Sequence, residues 1–91
     1  MNEKTDMDIK YTKQALKTLK GYDKRTRDFI RSKIYGLTET PPKGDIKPLE
    51  DSDTELRLRA GKYRVIFEYF KDRQPKILMI NKIDSRGGVY K

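Results

Sequence analysis

The spacing of apolar residues differs between the 12–38 segment and the segment from residue 55 onward, and this difference limits the folds that the sequence can adopt. Between residues 12 and 38, apolar residues recur three or four positions apart, as they do on one face of a helix. From residue 55 onward they alternate with polar residues, which is the pattern of half-buried strands. Helices followed by a run of strands favour an α+β fold. We expect two helices packed on one face of a small, largely antiparallel, twisted sheet.

The helical part predicts a hairpin of two helices. Thr12 is placed to cap the first helix, and Gly21 suits the left-handed position just past its end. Asp23 caps a second helix that we expect to run to about Thr38, before two prolines. The apolar stripes that should face the sheet are Ala15, Leu16 and Leu19 in the first helix, and Phe29, Ile30, Ile34 and Leu37 in the second.

Strands are predicted both before and after the helical hairpin in the sequence. A short first strand contains Met7, Ile9 and Tyr11 on one side, and "PPKGDIKPLEDSDTE" is interpreted as a loop. Three strands follow in "ELRLR", "KYRVIFEYF" and "KILMINKI", joined by tight turns at Gly61 and at "KDRQP". The last of the three is apolar on both sides through its middle, as expected of a central strand.

Composition excludes several classes of function. With 91 residues, the chain is interpreted as a single domain, 1–91. It has no cysteine and no histidine, so disulfides, thiolate metal sites and imidazole catalysis are excluded, and we expect no metal and no cofactor. The longest apolar run is "ILMI", far too short to span a bilayer, so we expect a soluble cytoplasmic protein with no membrane partner.

The formal net charge is +8, from 22 basic and 14 acidic residues. A field of this sign favours a polyanionic partner, either nucleic acid or an acidic protein. A basic surface that only keeps the protein soluble is the alternative, and charge alone leaves the two interpretations open.

Three arginines are predicted to meet on one face of the sheet. If Leu56 and Leu58 point toward the helices, Arg57 and Arg59 project from the opposite face, and Arg64 joins them from the next strand. Guanidinium groups cluster where a phosphate is bound bidentately, because like charges otherwise repel. The alternative is that the arginines pair with nearby acidic residues, namely Glu55, Glu68 and Asp72.

The chain ends with "IDSRGGVYK", residues 83–91. We expect Ile83 to close the last long strand, "DSRGG" to turn, and "VYK" to return beside the sheet as a short final strand. This path would bring Arg86 and Tyr90 to the arginines. The alternative is a disordered Arg-Gly-Gly tail of the kind found in RNA-binding segments.

Arginines and a tyrosine suit one reaction that needs no histidine. RNA carries its own nucleophile, the 2′-hydroxyl, so an enzyme has to orient the phosphodiester, neutralise the transition state and move protons. Nearby cations lower the pKa of a tyrosine, which makes Tyr90 a candidate base. DNA has no 2′-hydroxyl, and the sequence shows no carboxylate cluster for a two-metal mechanism.

Three segments in the right order resemble the RelE branch of the RelE/ParE superfamily, the toxins of toxin–antitoxin pairs. They are "GDIKPLED" (44–51), "LRLRAGKYRVIFEY" (56–69) and "IDSRGGVYK" (83–91), and the resemblance runs from about Ile9 to Lys91. It implies a RelE-like fold and a ribosome-dependent mRNA endonuclease that works without a metal. It also implies a cognate acidic antitoxin, with operator DNA bound only through the toxin–antitoxin complex.

The resemblance also implies site residues. The positions that match the family's catalytic residues are Arg57, Arg64, Arg86 and Tyr90. We expect further RNA contacts from Lys47, Arg59, Lys62, Lys82 and Lys91. The chain departs from the family at Glu55, where some members have lysine, and at Asp84-Ser85, where many have histidine or lysine. Two other functions stay open: a ParE-type toxin that inhibits DNA gyrase by binding it, and an RNA-binding module without activity.

Overall fold

The computed structural model describes residues 7–85, and these residues form five strands and two helices around one core. The elements are β1 (Met7–Tyr11), α1 (Lys13–Gly21), α2 (Lys24–Gly36), β2 (Asp45–Pro48), β3 (Leu56–Ala60), β4 (Tyr63–Phe70) and β5 (Lys76–Ser85). The strand order is β1-β5-β4-β3-β2. Only the β1–β5 pair is parallel among the described pairs. The predicted α+β fold is confirmed, and β5 lies inside the sheet as its apolar sequence indicated.

Both helices pack on one face of the sheet and bury its apolar residues. The core combines helical side chains with alternate residues of β3, β4 and β5: Ala15, Leu19, Ile30, Ile34, Leu37, Leu58, Val65, Phe67, Leu78, Ile80 and Ile83. Leu16 and Phe29 of the predicted stripes lie at the margin, each 39% exposed. The helices have 9 and 13 residues, and none in the described part of the chain is long and apolar enough to cross a membrane.

The two predicted helix caps are confirmed. The Thr12 hydroxyl accepts a hydrogen bond from the Ala15 N–H at 3.1 Å and donates one to the Asn81 carbonyl at 2.9 Å, which fixes α1 to β5. The Asp23 carboxylate accepts from the Thr26 N–H at 3.1 Å. Hydrogen bonding from the Thr26 side chain, and secondly from its backbone N–H, lowers the pKa of Asp23.

The predictions for the helix ends were wrong in detail. Gly21 is the last residue of α1 rather than a left-handed residue beyond it, because Tyr22 ends the helix in an extended conformation. The second helix ends at Gly36, two residues before the predicted Thr38, and residues 37 and 38 continue as a turn. The Tyr69 hydroxyl donates to the Leu37 carbonyl at 2.8 Å and so satisfies one acceptor at this helix end.

The segment interpreted as a loop contains a strand, so that prediction was wrong. β2 pairs antiparallel with β3 at the edge of the sheet, and its residue Ile46 is only half-buried. An edge strand tolerates Pro48 because the proline removes no hydrogen bond from the sheet interior. The segment has no alternating apolar pattern, since only one of its four residues packs on the core.

The last strand is longer than predicted. β5 runs to Ser85, so the predicted turn does not begin at Asp84. The expected path of "RGGVYK" lies outside the described residues. β5 also contains an irregularity: Ile66 pairs with Lys82, but the next residue, Phe67, pairs with Ile80, so Asn81 is an extra residue in β5.

Gly44 is expected to tolerate no side chain, because its φ is +126° and an added Cβ would lie 2.6 Å from Cδ1 of the buried Leu58. Strained backbone and overpacking together should make Gly44→Ala about 2–4 kcal/mol less stable in urea denaturation. The control is Gly21→Ala, which has open space around it and should gain about 0.5–1 kcal/mol. Equal stabilities of the two variants would contradict this account of the turn before β2.

Candidate phosphate-binding site

Four strands bring charged side chains onto the face of the sheet opposite the helices, here called the arginine face. Arg59 pairs directly with Arg64, Asp45 lies opposite Arg59, and Asp84 lies opposite Arg64. Directly opposed residues of neighbouring strands project from the same face. They therefore form one row across the sheet, in the order Asp45, Arg59, Arg64, Asp84.

A second row lies beside the first and is mainly basic. Two residues further along each strand, the cross-strand partners are Lys47, Arg57, Ile66 and Lys82. The three predicted arginines therefore share one face, as expected, and two of the predicted RNA-binding lysines lie in the same row as Arg57. Within 7–85, the structure brings together Arg57, Arg59, Arg64, Lys47 and Lys82.

Beyond the second row, two carboxylates share one amide. Asn81 Nδ2 donates to Glu55 Oε2 at 2.7 Å and to Glu68 Oε2 at 3.0 Å. Asn81 is the extra residue of β5, and its side chain reaches Glu68 in β4 and Glu55 just before β3. The basic row is thus bounded on this side by negative charge, and the amide offsets the repulsion between the two glutamates.

Arg64 has a specific acidic partner. Its Nε and Nη2 donate to Asp84 Oδ1 and Oδ2 at 3.1 and 2.9 Å, a bidentate ion pair. This hydrogen-bonded carboxylate raises the pKa of Arg64. The arginine partners considered from the sequence did not include Asp84. Glu55 and Glu68 contact Asn81 instead, and Asp72 pairs with Arg73 at 3.6 Å.

Arg57 and Arg64 differ in how they meet solvent. The Arg64 side chain is 43% exposed, whereas that of Arg57 is 14% exposed. The Arg57 Nη1 atom is buried and has no hydrogen-bond partner among the described residues, and Nη2 lies 4.0 Å from Asp45. Arg57 therefore supplies positive charge from below the surface, while the guanidinium of Arg64 is accessible from solvent although it is paired with Asp84.

A cavity of about 350 Å³ opens beside Arg64, within the size range of small-ligand sites. Its lining combines two cations, an apolar wall at Ile66 and the hydrogen-bonded pair of Glu55 and Asn81. The full lining is Gln14, Leu49, Glu55, Arg64, Ile66, Asn81 and Lys82. A phosphate at its mouth would meet Arg64 and Lys82, and the Ile66 wall offers an apolar surface to a sugar or base.

The remaining predicted site residues lie elsewhere or outside the described chain. Lys62 is in the turn between β3 and β4, with its ammonium 5.7 Å from the centre of the Tyr63 ring. Arg86, Tyr90 and Lys91 lie beyond residue 85, and their roles stay predictions. Sequence reasoning named Asp84 only as a departure from the family. It missed the pairing of Asp84 with Arg64 and the contacts of Asn81, since both depend on the pairing of β4 with β5.

Comparison with known proteins identifies the family. A model of the ParE toxin of the type II toxin–antitoxin system parDE matches residues 9–90. A Methanocaldococcus jannaschii protein named "Putative toxin RelE1" is 35% identical over 86 residues, which is 91% of this chain and 93% of the relative. The chain belongs to the RelE/ParE superfamily of type II toxin–antitoxin toxins.

Solved structures of the superfamily have the same fold. The archaeal RelE–RelB complex from Pyrococcus horikoshii OT3 matches with a TM-score of 0.71 and 28% identity, over 90% of this chain and 97% of that one. The RelB–RelE complex from Methanococcus jannaschii matches with a TM-score of 0.66 over 88% and 93%, and its 23% identity supports the fold alone. The resemblance to RelE-type toxins inferred from the motifs is thus confirmed.

The amide of Asn81 is expected to stabilise the sheet by separating two carboxylates. Asn81→Ala removes two hydrogen bonds to charged acceptors, so thermal and urea unfolding should show a loss of about 1–2 kcal/mol. Adding Glu68→Gln to this variant removes the facing like charges and should restore part of the loss. Unchanged stability of Asn81→Ala would show that the cluster is only a surface feature.

Proposed function

We propose that this chain is a toxin that inhibits translation by cutting mRNA on the ribosome, without a metal. The observation that carries the proposal is the pairing of Arg59 with Arg64, beside a row that contains Lys47, Arg57 and Lys82. The two rows contain five cations and only two carboxylates, Asp45 and Asp84, so the positive excess favours an additional anion. A phosphodiester is the anion that guanidinium groups bind best in two-point contact.

The proposed reaction is attack of a 2′-hydroxyl oxygen on the adjacent phosphorus. The P–O5′ bond breaks and the leaving O5′ takes up a proton from water, so a 2′,3′-cyclic phosphate and a 5′-hydroxyl form. Arg64 would bind the non-bridging oxygens and stabilise the charge of the pentacoordinate transition state. Arg57 would add positive charge from beneath, and Arg59, Lys47, Lys62, Lys82 and Lys91 would contact neighbouring phosphates. We assign Arg86 to the same phosphate.

Tyr90 is proposed as the base that takes the 2′-hydroxyl proton. Arginines placed beside it would favour its phenolate form, which is the form that accepts a proton. Stacking of its ring on a base is the other role that a tyrosine can perform here.

The proposed partners follow from the family and from the charge. Two solved relatives are RelE chains in complex with RelB, and this chain carries +8. We propose that an acidic antitoxin covers the arginine face or displaces the C-terminal segment, and that operator DNA is bound only through that complex. The substrate is message on the ribosome, which places the protein in the cytoplasm.

Inhibition of DNA gyrase without catalysis is the second candidate. The description of the matching family model names the ParE toxin, and this observation favours the candidate. A gyrase inhibitor needs a binding surface and no proton transfer, so the two functions differ in their dependence on single side chains.

Induced expression separates the two candidates. A nuclease should stop protein synthesis within minutes and produce new mRNA ends inside translated regions, and purified protein should cut message only when ribosomes are present. Loss of plasmid supercoiling with protein synthesis intact would replace the nuclease with the gyrase inhibitor. Co-expression with the proposed acidic antitoxin, to be sought in the neighbouring reading frames, should abolish either effect.

Arg64→Ala should reduce cleavage more than Arg59→Ala in single-turnover assays with programmed ribosomes. Loss of a transition-state contact costs about 3 kcal/mol, or roughly 100-fold, and a peripheral phosphate contact costs less. Lys71→Ala removes a cation from the β4–β5 turn, beyond the far end of β4 from Arg64, and serves as the control for net charge. Equal losses for Arg64→Ala and Arg59→Ala would show that the two arginines do not have different roles.

Tyr90→Phe keeps the aromatic ring and removes the hydroxyl, so it separates the two roles of Tyr90. A general base should show a loss of roughly 10²–10⁴-fold in the cleavage step. A stacking residue would leave Tyr90→Phe near wild type and make Tyr90→Ala defective. Normal cleavage by both variants would remove Tyr90 from the site.

A further inference from the structure

The guanidinium that the proposed reaction needs most is already occupied. Arg64 directs both Nε and Nη2 at the two oxygens of Asp84, at 3.1 and 2.9 Å. These are the same paired donors that bind two oxygens of a phosphate. Lys82 Nζ lies 4.0 Å from Asp84 Oδ2, so the carboxylate lies between two cations of the arginine face.

The pair is open to exchange with a ligand from solution. The Asp84 side chain is 30% exposed and that of Arg64 is 43% exposed. Ion pairs this accessible contribute little to stability, because water and salt compete for both charges. A ligand that binds Arg64 more tightly can therefore displace the Asp84 carboxylate without unfolding β5.

We propose that Asp84 is an internal competitor for the substrate phosphate on Arg64 and so sets the affinity of the site. This inference rests on the proposed function, in that the competing ligand is a phosphodiester of RNA. A free strand has to displace the carboxylate and binds weakly. A strand already held in place is present at high effective concentration and displaces it readily. Asp84 would thereby discriminate against RNA that nothing else holds.

The first row of the arginine face supplies a matched control. Asp45 lies at the other end of that row, across from Arg59, and the Arg57 Nη2 lies 4.0 Å from its carboxylate. Asp45→Asn and Asp84→Asn change the net charge equally on the same face. A difference between them therefore reports the contacts that Asp84 makes with Arg64 and Lys82 and not the overall field, and an Arg64→Gln background isolates the part that depends on Arg64.

The test is binding of a fluorescently labelled, fully 2′-O-methylated RNA 12-mer, measured by anisotropy without ribosomes. Asp84→Asn should bind about fivefold more tightly than wild type, which is the upper range for a partly exposed ion pair of good geometry. Asp45→Asn should change the affinity by less than about twofold. In an Arg64→Gln background, Asp84→Asn should have no larger effect than Asp45→Asn.

Three results would overturn the proposal: equal effects of the two Asp→Asn variants, weaker binding by Asp84→Asn, or no measurable binding by any of the proteins. Asp84→Ser also removes the charge and should reproduce the tightening, which guards against a defect peculiar to asparagine. Because the 2′-O-methyl strand cannot be cut, the outcome is independent of nuclease activity. A wild type that cuts no message while the Asp84–Asp45 difference persists would refute the proposed nuclease and leave the competitor standing.

Discussion

One extra residue in β5 determines how the arginine face is arranged. Ile80 and Ile83 are both buried against the helices although they are three positions apart, because Asn81 is inserted in the pairing with β4. Two consecutive residues, Asn81 and Lys82, therefore both project from the arginine face. The amide reaches Glu55 and Glu68, and the ammonium approaches Asp84. Without the insertion, the residues that follow it toward Ser85 would lie on the wrong sides of the sheet.

Positive and negative charge are distributed unevenly over the arginine face. The basic row of Lys47, Arg57 and Lys82 lies in the middle, Asp45 and Asp84 lie at the two ends of the neighbouring row, and the Glu55–Asn81–Glu68 cluster bounds the other side. Charges of opposite sign a few ångströms away weaken the field at the margins. Attraction for an anion is therefore greatest at the centre of the face.

The sequence was sufficient to predict the α+β fold and the three arginines on one face, because period-two alternation alone assigns Arg57, Arg59 and Arg64 to one side. It was not sufficient to predict which residues the arginines contact. Counting back from the turn, where Phe70 pairs with Ile77, would place Arg64 opposite Ile83, and the inserted residue makes that partner Asp84. No local pattern signals a bulge of this kind. β2 was missed because an edge strand with one half-buried residue leaves almost no apolar signal.

The alternation that builds the arginine face also protects the fold from misalignment. Arg57 and Arg59 alternate with Leu56 and Leu58 along β3, so a slip of one residue against β4 would exchange their faces. Two guanidinium groups would then enter a core that contains no buried charged residue among those described, and the leucines would enter solvent. The arginines proposed to bind phosphate therefore also fix the register of β3 against β4. The same side chains specify the binding surface and the alignment of the strands.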